Sequence, residues 1–216
     1  MLILGIETSG IKCSVAFVQD EALLLEYNME MANLHAELLG ELVSDGLDRL
    51  RQTSADLDLI AVAAGPGSFT GLRIGMAYAK GLAYALEKPI VAVSNFEVLA
   101  AQGIAAVTPI DVLIDARMNR FYHARFYETG AVPEIAKISD LNTLKENLGQ
   151  SVQIIVPQRT DTSLLRQSVD ARTMILEAGF YAGILCRLAQ KKFAAGIREE
   201  ISDLEPMYLQ RFAGVE

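Results

Sequence analysis

The chain has 216 residues and a formal net charge of −8, with 51% hydrophobic and 21% charged residues. It is long enough for one domain or two small ones with a sizeable core, and too apolar for a disordered chain. Its acidity speaks against strong binding of DNA or RNA by this chain alone, because like charge repels a phosphate backbone. The longest apolar runs, such as "LDLIAVAAG", are too short to cross a bilayer. The start "MLILGIETSG" lacks a basic n-region and meets an acid at Glu7. A cytoplasmic protein with no membrane role is expected. Cys13 and Cys186 fit no CxxC pattern and are expected as reduced structural thiols.

"LILGIETS" predicts a buried first strand; "KCSVAFVQD" and "EALLLEYNME" predict two more, with a hairpin turn at Asp20 and Glu21. "NLHAELLGELVSDGLDRLRQ" carries Leu34, Leu38, Leu42 and then Val43, Leu47, Leu50 at helical spacing, with Asn33 as N-cap. A strand "LDLIAVAAG", a helix "SFTGLRIGMAYAKGLAYALE", a strand "PIVAVSN" and a helix over 96–104 follow. In the second half, "DVLIDAR", "RFYHARFYE" and "EIAKISD" predict strands, and "LNTLKENLG" a short helix ending at Gly149. "VQIIVP" is a strand and "ARTMILEAGFYAGILCRLAQKKF" a long helix. Both halves then read β-β-β-α-β-α, with an acid ending each first strand, Glu7 and Asp115. Two α/β domains are expected, residues 1–106 and 107–216, each with a partly parallel sheet and flanking helices. Ligands of open α/β sheets gather at the carboxyl ends of strands. That places Glu7, Thr8, Ser9 and Asp115 near a cleft.

"GPGSFTGLRIG" invites a phosphate-loop reading. A Walker A loop needs G-x-x-x-x-G-K-[ST], but Leu72 follows Gly71; a dinucleotide fingerprint needs its third glycine where Thr70 stands. What remains is a strand-to-turn-to-helix junction whose amides, around Gly67 and Ser68, could hold an anion. Gly71, Gly75, Ala79 and Ala83 recur every four residues and form one small-residue stripe. Each helical glycine costs about 1 kcal/mol relative to alanine. A flat stripe returns that by admitting a close neighbour, either this chain's own core or another subunit's helix.

Catalytic signals are sparse. His35 and His123 are the two histidines, and neither has a second histidine or cysteine at metal spacing. No G-x-S-x-G elbow occurs, and Ser68 reads as a helix N-cap. Glu7 and Asp115 could form a carboxylate pair, and Arg73 and Arg117 could hold an anion, but structural roles serve equally well.

"GIETSG", "GPGSFTGLRIGMAYAKGLA", "DARMNRFYHARFY" and "EPMYLQR", in this order over nearly the whole chain, resemble the bacterial TsaB (YeaZ) family. The resemblance implies two actin-like domains (sugar kinase, Hsp70, actin; RNase H-like). It implies a non-catalytic, activating subunit in the addition of threonylcarbamoyl to adenosine 37 of tRNAs that read ANN codons. The catalytic paralog TsaD has a His-x-x-x-His metal pair where this chain has Asn95 and Leu99, so no metal site is expected. "LEAGFYAG" is a poor version of the adenosine motif of the fold, so ATP and metal are expected on partner subunits and no cofactor on this chain alone. The partners implied are TsaD, the ATPase TsaE, tRNA through the complex, and a second copy when the chain is alone. Carried over by position, the docking surface uses His35, Leu38, Leu39 and Leu42 on the first helix, and Phe69, Leu72, Gly75, Met76 and Ala79 on the second. A glycopeptidase-type hydrolase and an independent ATP-binding, kinase-like protein are the alternatives.

Overall fold

The computed structural model describes residues 1–30, 35–104, 106–128, 133, 135–140, 143–144, 148 and 151–209. Its strands are β1 (Leu2–Glu7), β2 (Cys13–Gln19), β3 (Ala22–Met29), β4 (Leu59–Gly65), β5 (Ile90–Ser94), β6 (Ile110–Asp115), β7 (Arg120–Phe126), β8 (Ile135–Asp140), β9 (Gln153–Pro157) and β10 (Met174–Ala178). Its helices are α1 (His35–Leu50), α2 (Phe69–Leu86), α3 (Asn95–Ala100), α4 (Ser163–Arg166) and α5 (Ala182–Ala194). The predicted N-cap Asn33 and the predicted helix end Gly149 lie outside the described residues.

Two five-stranded sheets form, ordered β3-β2-β1-β4-β5 and β10-β9-β6-β7-β8. In each, the first three strands pair antiparallel in sequence order, and the last two add in parallel, one beside the first strand and the other beside its neighbour. The repeat read from the sequence is therefore a repeat of topology, and the fold is α/β.

The second half departs from expectation over 171–193. Met174–Ala178 is a strand paired parallel with β9, from Met174 opposite Gln153 to Ala178 opposite Pro157. A helix begins only at Ala182. A five-residue segment with four apolar residues is too short to show a helical period, so its length and the following Gly179 are the discriminating signals.

The chain separates into one unit of 1–98 with 180–207 and another of 99–179 with 208–216. This differs from a single cut after residue 106, because α5, though late in sequence, packs on the first sheet. In that unit Leu2, Leu4 and Ile6 face a cluster with Leu39, Val43, Met76 and Ala79 from α1 and α2. Ile3, Ala61 and Val91 face Ala182, Leu185, Cys186 and Ala189 from α5. The alternation of β1 side chains thus feeds two helical layers, which is why the strand is apolar throughout. Gly5 sits where α5 crosses: a Cβ there would lie 2.5 Å from Cys186 Sγ and 2.7 Å from the Ala182 carbonyl. In the second unit Leu113, Leu144, Leu148, Ile154, Val156 and Leu165 form the core.

Candidate functional site

At the carboxyl end of β1 the residues predicted near a cleft form a closed polar cluster. Glu7 is fully buried, and its Oε1 accepts from the Ser9 amide at 2.6 Å and the Ser9 hydroxyl at 2.5 Å. The Ser9 carbonyl takes the Ser68 amide at 2.8 Å. Thr8 Oγ1 donates to the Gly71 carbonyl at 2.7 Å. Asn95 Nδ2 donates to Ser9 Oγ at 2.5 Å and to the Pro66 carbonyl at 2.8 Å. Ser68 caps α2 as predicted, its side chain accepting from the Gly71 amide at 3.3 Å. Gly67 is held close: a Cβ there would meet Ser9 at 2.8 Å. The amides of Ser9, Ser68 and Gly71 are therefore engaged by oxygens of this chain, and a carboxyl lies beneath them. Those three amides are thus not open to an anion.

Burial drives the Glu7 carboxyl up to about 7, against the Ser9 hydroxyl and the Ser9 and Gly10 amides. Asp115 ends β6 at the corresponding position of its own unit, but it is exposed and accepts from the Arg117 amide at 2.7 Å. A pocket of about 300 Å³ beside Ser94 is walled by Glu97, Glu199, Asp203 and Glu205 against Lys192. Lys192 is already bonded to Glu97 at 2.9 Å, so this pocket also disfavours a phosphate. Among the described residues no group of three His, Cys, Asp or Glu side chains could hold a metal ion. Asn95 donates its Nδ2 to Ser9 and Pro66, and Leu99 is buried and has no lone pair to offer.

The residues of the docking surface carried over by position differ in burial. Leu39, Leu72, Met76 and Ala79 are buried in this chain's own core. Gly75 is buried as well: a Cβ there would collide with Thr8 Oγ1, and one at Gly71 with the Thr8 carbonyl. The small stripe admits β1 of the same chain. Leu38 and Leu42 are half-buried and Phe69 is exposed, with Arg73 stacked 3.8 Å above its ring. Nothing is described of the His35 side chain. The outward face of α2 instead carries Ala77, Gly81, Tyr84 and Ala85, with Tyr84 77% exposed. A Cβ added at Gly81 would meet nothing within 4 Å. A second small series, Ala77, Gly81 and Ala85, was the sequence signal for this face.

One polar network escaped the sequence reading. Asp111 on β6 accepts from His123 Nε2 at 2.6 Å, Arg125 Nε at 2.8 Å and Ser151 Oγ at 2.6 Å, and Arg125 Nη2 reaches its second oxygen at 3.0 Å. Burial works against its charge, but His123, Arg125 and Ser151 outweigh it and hold the carboxyl below the ordinary range. The three residue types of a hydrolase triad meet here in the wrong order. The serine donates to the aspartate, so nothing draws its proton toward the histidine. The cluster pins β6, β7 and the start of β9.

Residues 29–205 match the family model TsaD: tRNA N6-adenosine threonylcarbamoyltransferase. The tRNA threonylcarbamoyladenosine biosynthesis protein TsaB of Bacillus subtilis is 33% identical, over 79% of this chain and 76% of that protein. Its Escherichia coli namesake is 30% identical, over 97% of this chain and 95% of that protein. The structure of YeaZ from Pseudomonas aeruginosa superposes with a TM-score of 0.77 at 27% identity, covering 96% of this chain and all 100% of that one. An inorganic polyphosphate/ATP-glucomannokinase from Arthrobacter shares the fold alone, at 13% identity and a TM-score of 0.51, over 91% and 99% of the two chains.

Proposed function

The chain belongs to the TsaB family of tRNA threonylcarbamoyladenosine biosynthesis proteins, and from that premise we propose that it is a non-catalytic subunit that supports a TsaD-type transferase acting on adenosine 37. The observation that carries the reading is the Asn95 and Leu99 pair. Leu99 is a buried apolar residue with no lone pair, and Asn95 is anchored through Nδ2 to the Ser9–Pro66 junction, so the paralog's His-x-x-x-His pair has no counterpart here. The buried Glu7 and saturated Asp111 point the same way, because each is tied up in holding strand ends together.

The partner surface in this reading is the outer layer formed by α1 and α2. Leu38, Leu42, Phe69, Ala77, Gly81 and Tyr84 combine apolar contact with a flat centre at Gly81. An aromatic anchor beside small residues is what close helix docking requires. ATP and metal reside on the partners in this reading, a TsaE-type ATPase joins the pair, and tRNA is reached through the assembled complex. The same face accounts for self-pairing when the chain is alone. Reconstitution tests the proposal. The purified transferase paralog and ATPase should modify tRNA only slowly until this chain is added, and this chain alone should modify none. Full transfer without it would overturn the proposal.

A further inference from the structure

Two buried acceptor atoms in the strand-end cluster lack a hydrogen-bond partner, Glu7 Oε2 and Asn95 Oδ1. Both residues are fully buried, and both are tied to one hydroxyl: Ser9 Oγ donates to Glu7 Oε1 and accepts from Asn95 Nδ2, each at 2.5 Å. Two acceptors stranded in a dry interior are unfavourable. A proton on Oε2 turns one of them into the donor the other lacks. We propose that the folded chain carries Glu7 as the neutral acid, its Oε2–H donated to Asn95 Oδ1, and that this shared proton is a pH-sensitive latch on the junction that starts α2.

The junction's connections explain why a proton there has reach. Glu7 fixes Ser9, whose carbonyl takes the Ser68 amide; Asn95 fixes the Pro66 carbonyl; Thr8 fixes the Gly71 carbonyl. The Ser9 hydroxyl and the Ser9 and Gly10 amides favour an ionised Glu7 but are outweighed by burial, and the other groups facing the cluster carry no positive charge. From α2 they are Gly71 and Gly75, from the turn Pro66 and Gly67, and from β2 Ser14 and Cys13. Cys13 is itself pushed up to about 11, by burial and then by the charge of Glu7. On α3, Glu97 is turned to Lys192 instead.

Burial holds the folded-state carboxyl at about 7, above its ordinary 4.5. A raised carboxyl stabilises the fold fully below the ordinary range, and that contribution is lost as pH rises through the folded value. The latch is therefore closed in mild acid and open in mild base. The proposal goes beyond the scaffold reading, and its test uses the full chain with no partner, so the two can fail separately.

Side-chain carboxyl NMR of the carbon-13-labelled chain follows the ionisation of Glu7, while amide exchange reports protection at Ser68 to Gly71. The Glu7 signal should titrate near neutrality. Between about pH 5 and pH 8 the unfolding constant should rise on the order of a hundredfold, with protection of those amides falling in parallel. Glu7→Gln, which keeps the donor and cannot ionise, should abolish this slope. A Glu7 signal titrating in the ordinary carboxylate range, or an unchanged slope in Glu7→Gln, would overturn the latch. Should that variant fail to fold, the wild-type titration alone decides.

Discussion

Asp111, His123 and Arg125 sit in strands that otherwise read as apolar β sequence, with Ser151 just before β9, and of the four only His123 stands out in the sequence, as a histidine without a metal-spaced neighbour. Their only sequence mark is an acid at the start of "DVLID" and two polar residues two apart on β7, which alternation places on one face. Pairing made the cluster: register sets Asp111 opposite Arg125, and β9 brings Ser151 alongside. Removing the carboxylate strands a guanidinium and an imidazole in the interior. Asp111→Ala should therefore lower stability by about 3–5 kcal/mol in a denaturant titration. The pH dependence runs opposite to that of Glu7. The Asp111 carboxyl is held low in the fold, so its stabilisation is present above the ordinary range and lost as pH falls through the folded value. Acid unfolding of Asp111→Asn should show a shallower slope than wild type below about pH 4. Glu7, by contrast, was legible as a strand-end acid, but its burial was not, because closure by Asn95 comes from a residue far away in sequence.

Helix α2 shows what periodicity can and cannot say. Spacing by four correctly groups Gly71, Gly75, Ala79 and Ala83 on one face, and Ser68 correctly marks the start. Spacing does not say what covers the face. Here the end of β1 does, with Thr8 after it, while a Cβ at Gly81 on the opposite face would meet nothing within 4 Å among the described residues. The two glycines therefore behave oppositely. Gly75→Leu has no room beside Thr8 and should cost about 3 kcal/mol, with loss of soluble chain. Gly81→Ala adds a Cβ into open space and should raise stability by about 0.5–1 kcal/mol in a thermal or denaturant melt. Gly81→Trp should leave the melt within a few tenths of a kcal/mol, as surface changes do, while abolishing co-purification with the transferase paralog. Undiminished co-purification would move the docking surface elsewhere. The misread 171–193 segment has the same lesson at a boundary. "MILEA" can extend a helix or fill a parallel strand; its shortness and Gly179 favour the strand, and pairing with β9 completes it.

At the scale of the molecule, topology was readable and allocation was not. The two halves repeat their order of elements, but α5 leaves the second half to cover the first sheet, burying Leu185, Cys186 and Ala189 against β1 and β4. Truncation after Gly179 should therefore expose an apolar face of the first sheet and leave the N-terminal unit aggregated, a result that light scattering would register. The net charge of −8 and the exposed Ala77, Gly81, Tyr84 and Ala85 on α2 are what the proposed role as a partner-dependent subunit rests on at this scale. The most direct measurement is depletion of this chain in its own cell, followed by nucleoside analysis of bulk tRNA. Threonylcarbamoyladenosine should fall sharply, and should be restored by the wild-type chain but not by Gly81→Trp. An unchanged level after depletion would contradict the account.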